Sequence, residues 1–187
     1  MLCLPGPVDA RAARPGSSLG PVPLSLRETP ETDLERVLAI EAEPEVARWI
    51  TRWSRDRHLA AVRAPDEAHC VLCENGAVAG FVLLAGLGAP RPTVELRRLA
   101  LARRGEGLGR RALGLALALA FERHAARRVW LDVLPANSVA MALYEKAGFV
   151  RDGILPGTHL LPGGSREDLI VMSTMDGARP GTGRDAP

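Results

Sequence analysis

The chain has 187 residues, 47% hydrophobic and 25% charged, which suits one domain with a real core and excludes a disordered chain. A formal net charge of +2, with only three Trp, three Phe and one Tyr, leaves no basic, aromatic-studded face for nucleic acid. No apolar run reaches the roughly 18 residues of a membrane span, and Cys3, Cys70 and Cys73 form neither a disulfide framework nor a zinc spacing, so a cytoplasmic protein without metal is expected.

Residues 1–20 carry Pro, Gly and Ser without periodicity and are expected to be a disordered leader or the artefact of an upstream start codon. Residues 21–176 are expected to form a single domain, and 177–187 a flexible tail. The stretch 23–28 (PLSLRE) alternates apolar and polar and predicts a first strand. Thr29 as N-cap and Pro30 in the first turn open a helix with Leu34, Val37, Leu38 and Glu41 on one side. Pro44 restarts a second helical piece with Val46, Ala47, Trp49 and Ile50, and a third lies near 56–62. Residues 70–73 and 78–84 form a hairpin about Glu74-Asn75-Gly76. A loop over 86–92 precedes a strand from Thr93, then a turn and a long Ala/Leu-rich helix to Glu122. There follow a strand at 129–134, a short helix at 138–147 closed by Gly148 and a strand at 149–155. A long Gly/Pro loop over 156–167 then leads to a last strand at 169–175. The order predicts a mixed α/β fold with one central crossover helix.

The turn between the Thr93 strand and the long helix holds glycines at alternate positions, Gly105, Gly107 and Gly109, flanked by Arg103, Arg104, Arg110 and Arg111. Glycine lets successive N–H groups curl into one concavity, and the helix start adds unpaired donors and a positive dipole end. That is a site for a phosphate or pyrophosphate. A dinucleotide fingerprint fails at its third glycine, where Arg110 stands, and a triphosphate loop would need a Lys and a hydroxyl that are absent.

The spacing Arg104-x-x-Gly107-x-Gly109 resembles the pyrophosphate signature of the GCN5-related N-acetyltransferases. Downstream, LDVLPANSVAMALYEKAGF (131–149) resembles the same family's later motif, with Asn137, Ala140, Leu143, Tyr144, Lys146, Gly148 and Phe149 in the expected places. The resemblance runs from about 23 to 175. Its opening and ending look most like the branch of ribosomal-protein and small-amine acetyltransferases. The turn from Leu101 to Arg104 is shorter than is usual in the family and lacks its Pro.

The resemblance implies a mixed sheet of about six to seven strands with flanking helices around a phosphate-binding strand–loop–helix. It implies transfer of an acetyl group from acetyl-coenzyme A to a primary amine, by a monomer or homodimer. Arg104, Gly105, Glu106, Gly107, Leu108, Gly109 and Arg110 would hold the pyrophosphate. The main chain of Leu99, Ala100 and Leu101 would pair with the pantetheine arm. Asn137 would bond that arm or cap the following helix. Tyr144 would be general acid to the departing thiolate, or a packing residue with its hydroxyl on a carbonyl. Glu95 would take the amine's proton through water, or be an Arg-paired strand residue. The acceptor would be a small cationic amine, such as a polyamine or aminoglycoside, or a protein N-terminus. Glu41, Glu43 and Glu45 would stand at its mouth. A non-catalytic acyl-coenzyme A sensor and, less favoured, a nucleotide-binding oxidoreductase are the alternatives.

Overall fold

The structure, a computed structural model, describes residues 23–88, 92–105, 107–160, 164 and 166–177. The expected leader, the expected tail after Gly177, Cys3 and Glu106 lie outside the described residues. Seven strands form one sheet in the order β1-β2-β3-β4-β5-β7-β6. They are β1 Leu24–Glu28, β2 Glu67–Glu74, β3 Ala77–Ala85, β4 Thr93–Leu101, β5 Arg128–Val133, β6 Val150–Leu160 and β7 Arg166–Met175. The β2–β3 hairpin turns at Asn75 and Gly76, whose φ of 53° and 78° suit the tight two-residue turn that the twist of paired strands favours.

Helices cover both faces. On one face lie α4 (Leu108–Ala118), which widens into a π-helical turn at Leu119–Arg123, and α5 (Ser138–Lys146). Ala112, Leu113 and Ala116 of α4 and Met141 of α5 pack there on Leu72, Val82, Val94, Leu96, Leu131 and Met172. The small alanines let α4 sit close to the sheet, which is why an Ala/Leu run serves this position. On the other face lie α1 (Leu34–Ala42), the single turn α2 (Pro44–Ala47) and α3 (Arg55–Arg63). Val37 and Ile40 meet Val71, Cys73, Phe81 and Ala100 there.

Two local readings are corrected. Thr29 does not cap the first helix: its hydroxyl lies 2.9 Å from His69 Nδ1, 3% exposed, and the helical entry has no side-chain cap. The stretch read as a long loop over 156–167 is mostly strand, since β6 continues to Leu160 and β7 begins at Arg166. β6 is an edge strand with a register break between Leu155 and His159, so Pro156 and Gly157 (φ 58°) cost it no ladder that a central strand would need.

Candidate active site

β4 and β5 run parallel but pair over only three positions, Thr93↔Arg128, Val94↔Val129 and Glu95↔Trp130. Just past that point the β3–β4 register skips: Leu84 faces Leu96 and Leu83 faces Arg98, leaving Arg97 as an extra residue. A bulge bends its strand away from the neighbour. The sheet therefore splits, and the split opens a cavity of about 910 Å³ between Leu96–Leu101 on one side and Asp132–Leu134 on the other. Leu99, Ala100 and Leu101 pair with Val82, Phe81 and Gly80 of β3 on one edge, so the opposite main-chain edge of β4 borders the cavity.

One end of the cavity is the glycine turn. Gly105 and Gly107 have φ of 100° and 68°, conformations that favour glycine, and a Cβ on either would meet nothing within 4 Å. Their role is the backbone path, not close packing. Gly109 differs: a Cβ there would meet Leu143 Cδ2 at 3.4 Å, where α4 passes α5. Leu108 N–H donates to Gly105 O at 3.0 Å, and α4 starts with no side-chain cap, so its positive end faces the cavity. The four arginines divide. Arg104 and Arg110 line the cavity, whereas Arg103 and Arg111 grip the carboxylate of Glu74. Glycine N–H groups, a helix start and two arginines form a donor set that fits a pyrophosphate.

Asn137, Asp132 and Tyr144 line the same cavity. Asn137 caps α5, its Oδ1 accepting from Ala140 N–H at 3.2 Å. The Tyr144 ring packs on Phe149 with centroids 5.6 Å apart, and among the described residues nothing hydrogen-bonds its hydroxyl. Burial, and then the charge of Asp132, push its phenol up to about 12. It therefore stays protonated at neutral pH. Glu95 lies outside the cavity lining, at the last β4–β5 pair, and Arg97 Nε and Nη2 donate to its Oε2 at 3.0 and 2.7 Å. Arg97 also binds Glu67.

The carboxylate on the wall is Asp132, which sequence reasoning passed over. The cavity leaves it open to water on one side, but the protein around it raises its carboxyl above the ordinary value; Glu95 adds to the rise, and His159 and Arg97 oppose it. Its signal was present in VWLDVL. Asp132 is exposed on a strand whose alternate members Val129, Leu131 and Val133 are buried, so it points to the opposite face. An acid at such a place needs a reason.

Further walls of the cavity are Glu45, Val46, Trp49, Ile50 and Thr51 after α1, and His159 and Leu169 from the β6–β7 hairpin. Glu41 is not at this mouth. It is fully buried, with Oε1 2.7 Å from Arg98 Nη1 and Oε2 accepting from Trp53 N–H at 2.9 Å. Burial opposes its charge, but His58, Trp53 and Arg98 together hold the carboxyl below the usual range. Behind it runs a buried polar chain: His58 Nε2 lies 3.4 Å from Glu41, His58 Nδ1 lies 3.0 Å from His69 Nε2, and His69 reaches Thr29. Arg98 donates on to Thr51 O at 2.9 Å and stacks 4.0 Å over Trp53. This network ties α1, α3 and β2 to the bulged strand and fixes the 51–53 segment. Glu43 is exposed and does not line the cavity.

Comparison with known proteins agrees with this geometry. The chain is similar in fold to spermidine N-acetyltransferase from Vibrio cholerae, solved with CoA and spermine, at 22% identity and a TM-score of 0.74, covering 83% of this chain and 96% of that one. It is also similar to the ribosomal-protein-S18-alanine N-acetyltransferase from Escherichia coli, at 23% identity and a TM-score of 0.68, covering 88% and 99%. The profile of the acetyltransferase (GNAT) family matches residues 34–149, a span that holds the glycine turn, Asp132 and Tyr144 and leaves no place for the oxidoreductase alternative. The chain belongs to the acetyltransferase (GNAT) family and is an acetyl-coenzyme A-dependent N-acetyltransferase.

Proposed function

We propose that this chain acetylates a primary amine on a small cationic molecule, with acetyl-coenzyme A held along β4 and the glycine turn. One observation carries the reading: the glycine turn, a phenol without a hydrogen-bond partner among the described residues and a carboxylate of raised affinity for protons all open into one split in the sheet. When bound, acetyl-coenzyme A supplies the thioester that an amine attacks. Arg104, Arg110 and the N–H groups of Gly105, Gly107 and Gly109 hold its pyrophosphate. The free edge of Leu99–Leu101 pairs with the amide-bearing arm and fixes the reach of the thioester. Asn137 serves as helix cap and faces the same arm.

Tyr144 holds a proton at Oη and gives it to the leaving sulfur; its apolar setting keeps that proton in place until charge develops. Asp132 takes the amine's proton, directly or through one water, because it stands on the wall where Glu95 does not. Glu95, clamped by Arg97, acts on Asp132 as a fixed negative charge. Asp132 and Glu45 are the acids that orient a cationic acceptor, with Trp49, Ile50 and Leu169 as its apolar wall. The spermidine-acetylating neighbour supports a small amine, and the ribosomal-protein one a protein N-terminus as the competing acceptor.

The test is a panel of polyamines, aminoglycosides and peptide N-termini, read by release of free thiol from acetyl-coenzyme A. Turnover of a small amine is expected, and Tyr144→Phe is expected to lower kcat by roughly 10²–10⁴ with coenzyme affinity unchanged. Turnover of peptides alone would refute the acceptor class. Coenzyme binding with no turnover of any amine would make the chain a sensor.

A further inference from the structure

Arg104 does not wait in the open for a phosphate. Its Nη2 lies 3.2 Å from Glu45 Oε2, and it donates to Glu45 O, also at 3.2 Å. Glu45 belongs to α2, across the cavity from the glycine turn, and both residues line that cavity. The same Oε2 accepts from Arg48 Nη2 at 2.8 Å, so one carboxylate is shared by two guanidinium groups. The Arg104 and Glu45 side chains are 53% and 62% exposed, and an ion pair in such contact with water is easily exchanged. A pyrophosphate, with more charge and more acceptor oxygens than one carboxylate, competes for the same guanidinium.

The geometry points to a coupling device, resting on the acetyltransferase reading above: the coenzyme draws Arg104 off Glu45 and so unlocks the acid of the acceptor wall. Without coenzyme, Glu45 is engaged by two arginines and attracts a cationic amine poorly. With the pyrophosphate in place, only Arg48 remains, and that arginine also lies over Trp49 with 4.8 Å to the ring centroid, which divides its contacts between ring and carboxylate. Coenzyme binding then strengthens amine binding, and linkage requires the reverse by the same factor. Glu45 is thus a positioning residue, and its effect on the coenzyme is opposite in sign to that of a ligand: removing its carboxylate takes away the charged hold on Arg104 and leaves only the hydrogen bond to the Glu45 main-chain O.

The experiment is calorimetric titration of coenzyme A into wild type, Glu45→Gln, Glu43→Gln, Arg104→Ala and the Glu45→Gln/Arg104→Ala double variant. Glu45→Gln should bind coenzyme A about two- to fivefold more tightly, the range a surface ion pair commands. Glu43→Gln removes an equal charge from a neighbouring position outside the cavity and should leave the Kd unchanged. Arg104→Ala should bind more weakly, and in that background Glu45→Gln should add nothing. For the best amine of the panel, KM in the wild type should fall by a similar factor between low and saturating acetyl-coenzyme A, and stay level in Glu45→Gln. Unchanged or weaker coenzyme binding by Glu45→Gln overturns the coupling, as does an equal gain in the Arg104→Ala background, which would be a general field effect. A wild type that binds no coenzyme A at all overturns the acetyltransferase reading, and the coupling falls with it.

Discussion

Replacing Glu41 by Gln tests the buried pair directly. The substitution keeps the shape and removes one charge, leaving Arg98, 8% exposed, without its counter-ion. The new amide oxygen could still accept one of the hydrogen bonds now donated by Arg98 and Trp53. Removing one partner of a buried ion pair costs about 3–5 kcal/mol, because the other charge stays desolvated. For a domain of this size about 2–4 °C of Tm is lost per kcal/mol, so a fall of roughly 6–20 °C is expected. The assay is thermal and urea unfolding at pH 7 by circular dichroism, with Glu41→Gln, Arg98→Met and the double variant compared in one cycle. The double variant should recover at least half the loss, since a Met in that space needs no counter-ion. Glu41→Gln within about 1 kcal/mol of wild type, or strict additivity in the cycle, would refute the assignment of Glu41 to a stabilising pair with Arg98.

Asp132→Asn should lower kcat by roughly 10²–10⁴ and abolish the acid limb of its pH profile. Glu95→Gln should keep most activity and move that limb to lower pH, because a charge that raises the Asp132 carboxyl is gone; loss of activity in Glu95→Gln equal to that in Asp132→Asn would return the base role to Glu95. Burial holds His69 to a pKa of about 4, below the ordinary 6.5, so the unfolded chain takes up that proton first as pH falls. The stability it contributes is complete above pH 6.5 and is lost on descent to about 4, a change of about 3 kcal/mol across the window. Tm measured from pH 7 to 4.5 should drop more steeply in wild type than in His69→Gln, and parallel curves would rule His69 out.

The glycine turn proposed for the coenzyme was legible as a turn because it is local. Gly105 and Gly107 need their backbone conformations wherever they stand, and the turn, the start of α4 and the border strand are contiguous in the chain. Asn137 to Phe149 is likewise one strand exit and one helix. The facing walls of the cavity are assembled at long range from α2, β5 and β6, and no spacing announces that Glu45, Asp132 and His159 share a cavity. Glu41 read as a surface acid because its partner, Arg98, lies 57 residues away. Its helical phase with Leu34 and Val37 already placed it inward, and that period outweighed its charge. The far half of β6, residues 156–160, was missed for the opposite reason: Pro156 and Gly157 are breakers in a central strand but not in an edge strand with a register break.

That relocation changes what the acceptor mouth offers. Of the acids at 41, 43 and 45, the first is neutralised inside, the second stands clear of the cavity, and the third is shared with Arg104 and Arg48. The sequence suggested three steering charges; the structure leaves Glu45, with Asp132 deeper on the wall and Arg97 and His159 nearby. A cationic amine is therefore steered weakly and held chiefly at its reacting end. KM for the best amine should rise only shallowly with salt, since one partly compensated carboxylate carries the long-range attraction. Glu45→Gln should flatten that slope, and Glu43→Gln should leave it as in the wild type. The measurement is KM across a range of salt from roughly 25 to 400 mM at saturating acetyl-coenzyme A, where Arg104 is engaged elsewhere. A steep slope that Glu43→Gln abolishes would mean that the amine is gathered by the outer helix end and not by the cavity wall. A slope insensitive to both substitutions would mean that the acceptor brings no charge for Glu45 to meet, and would favour a neutral or peptide amine.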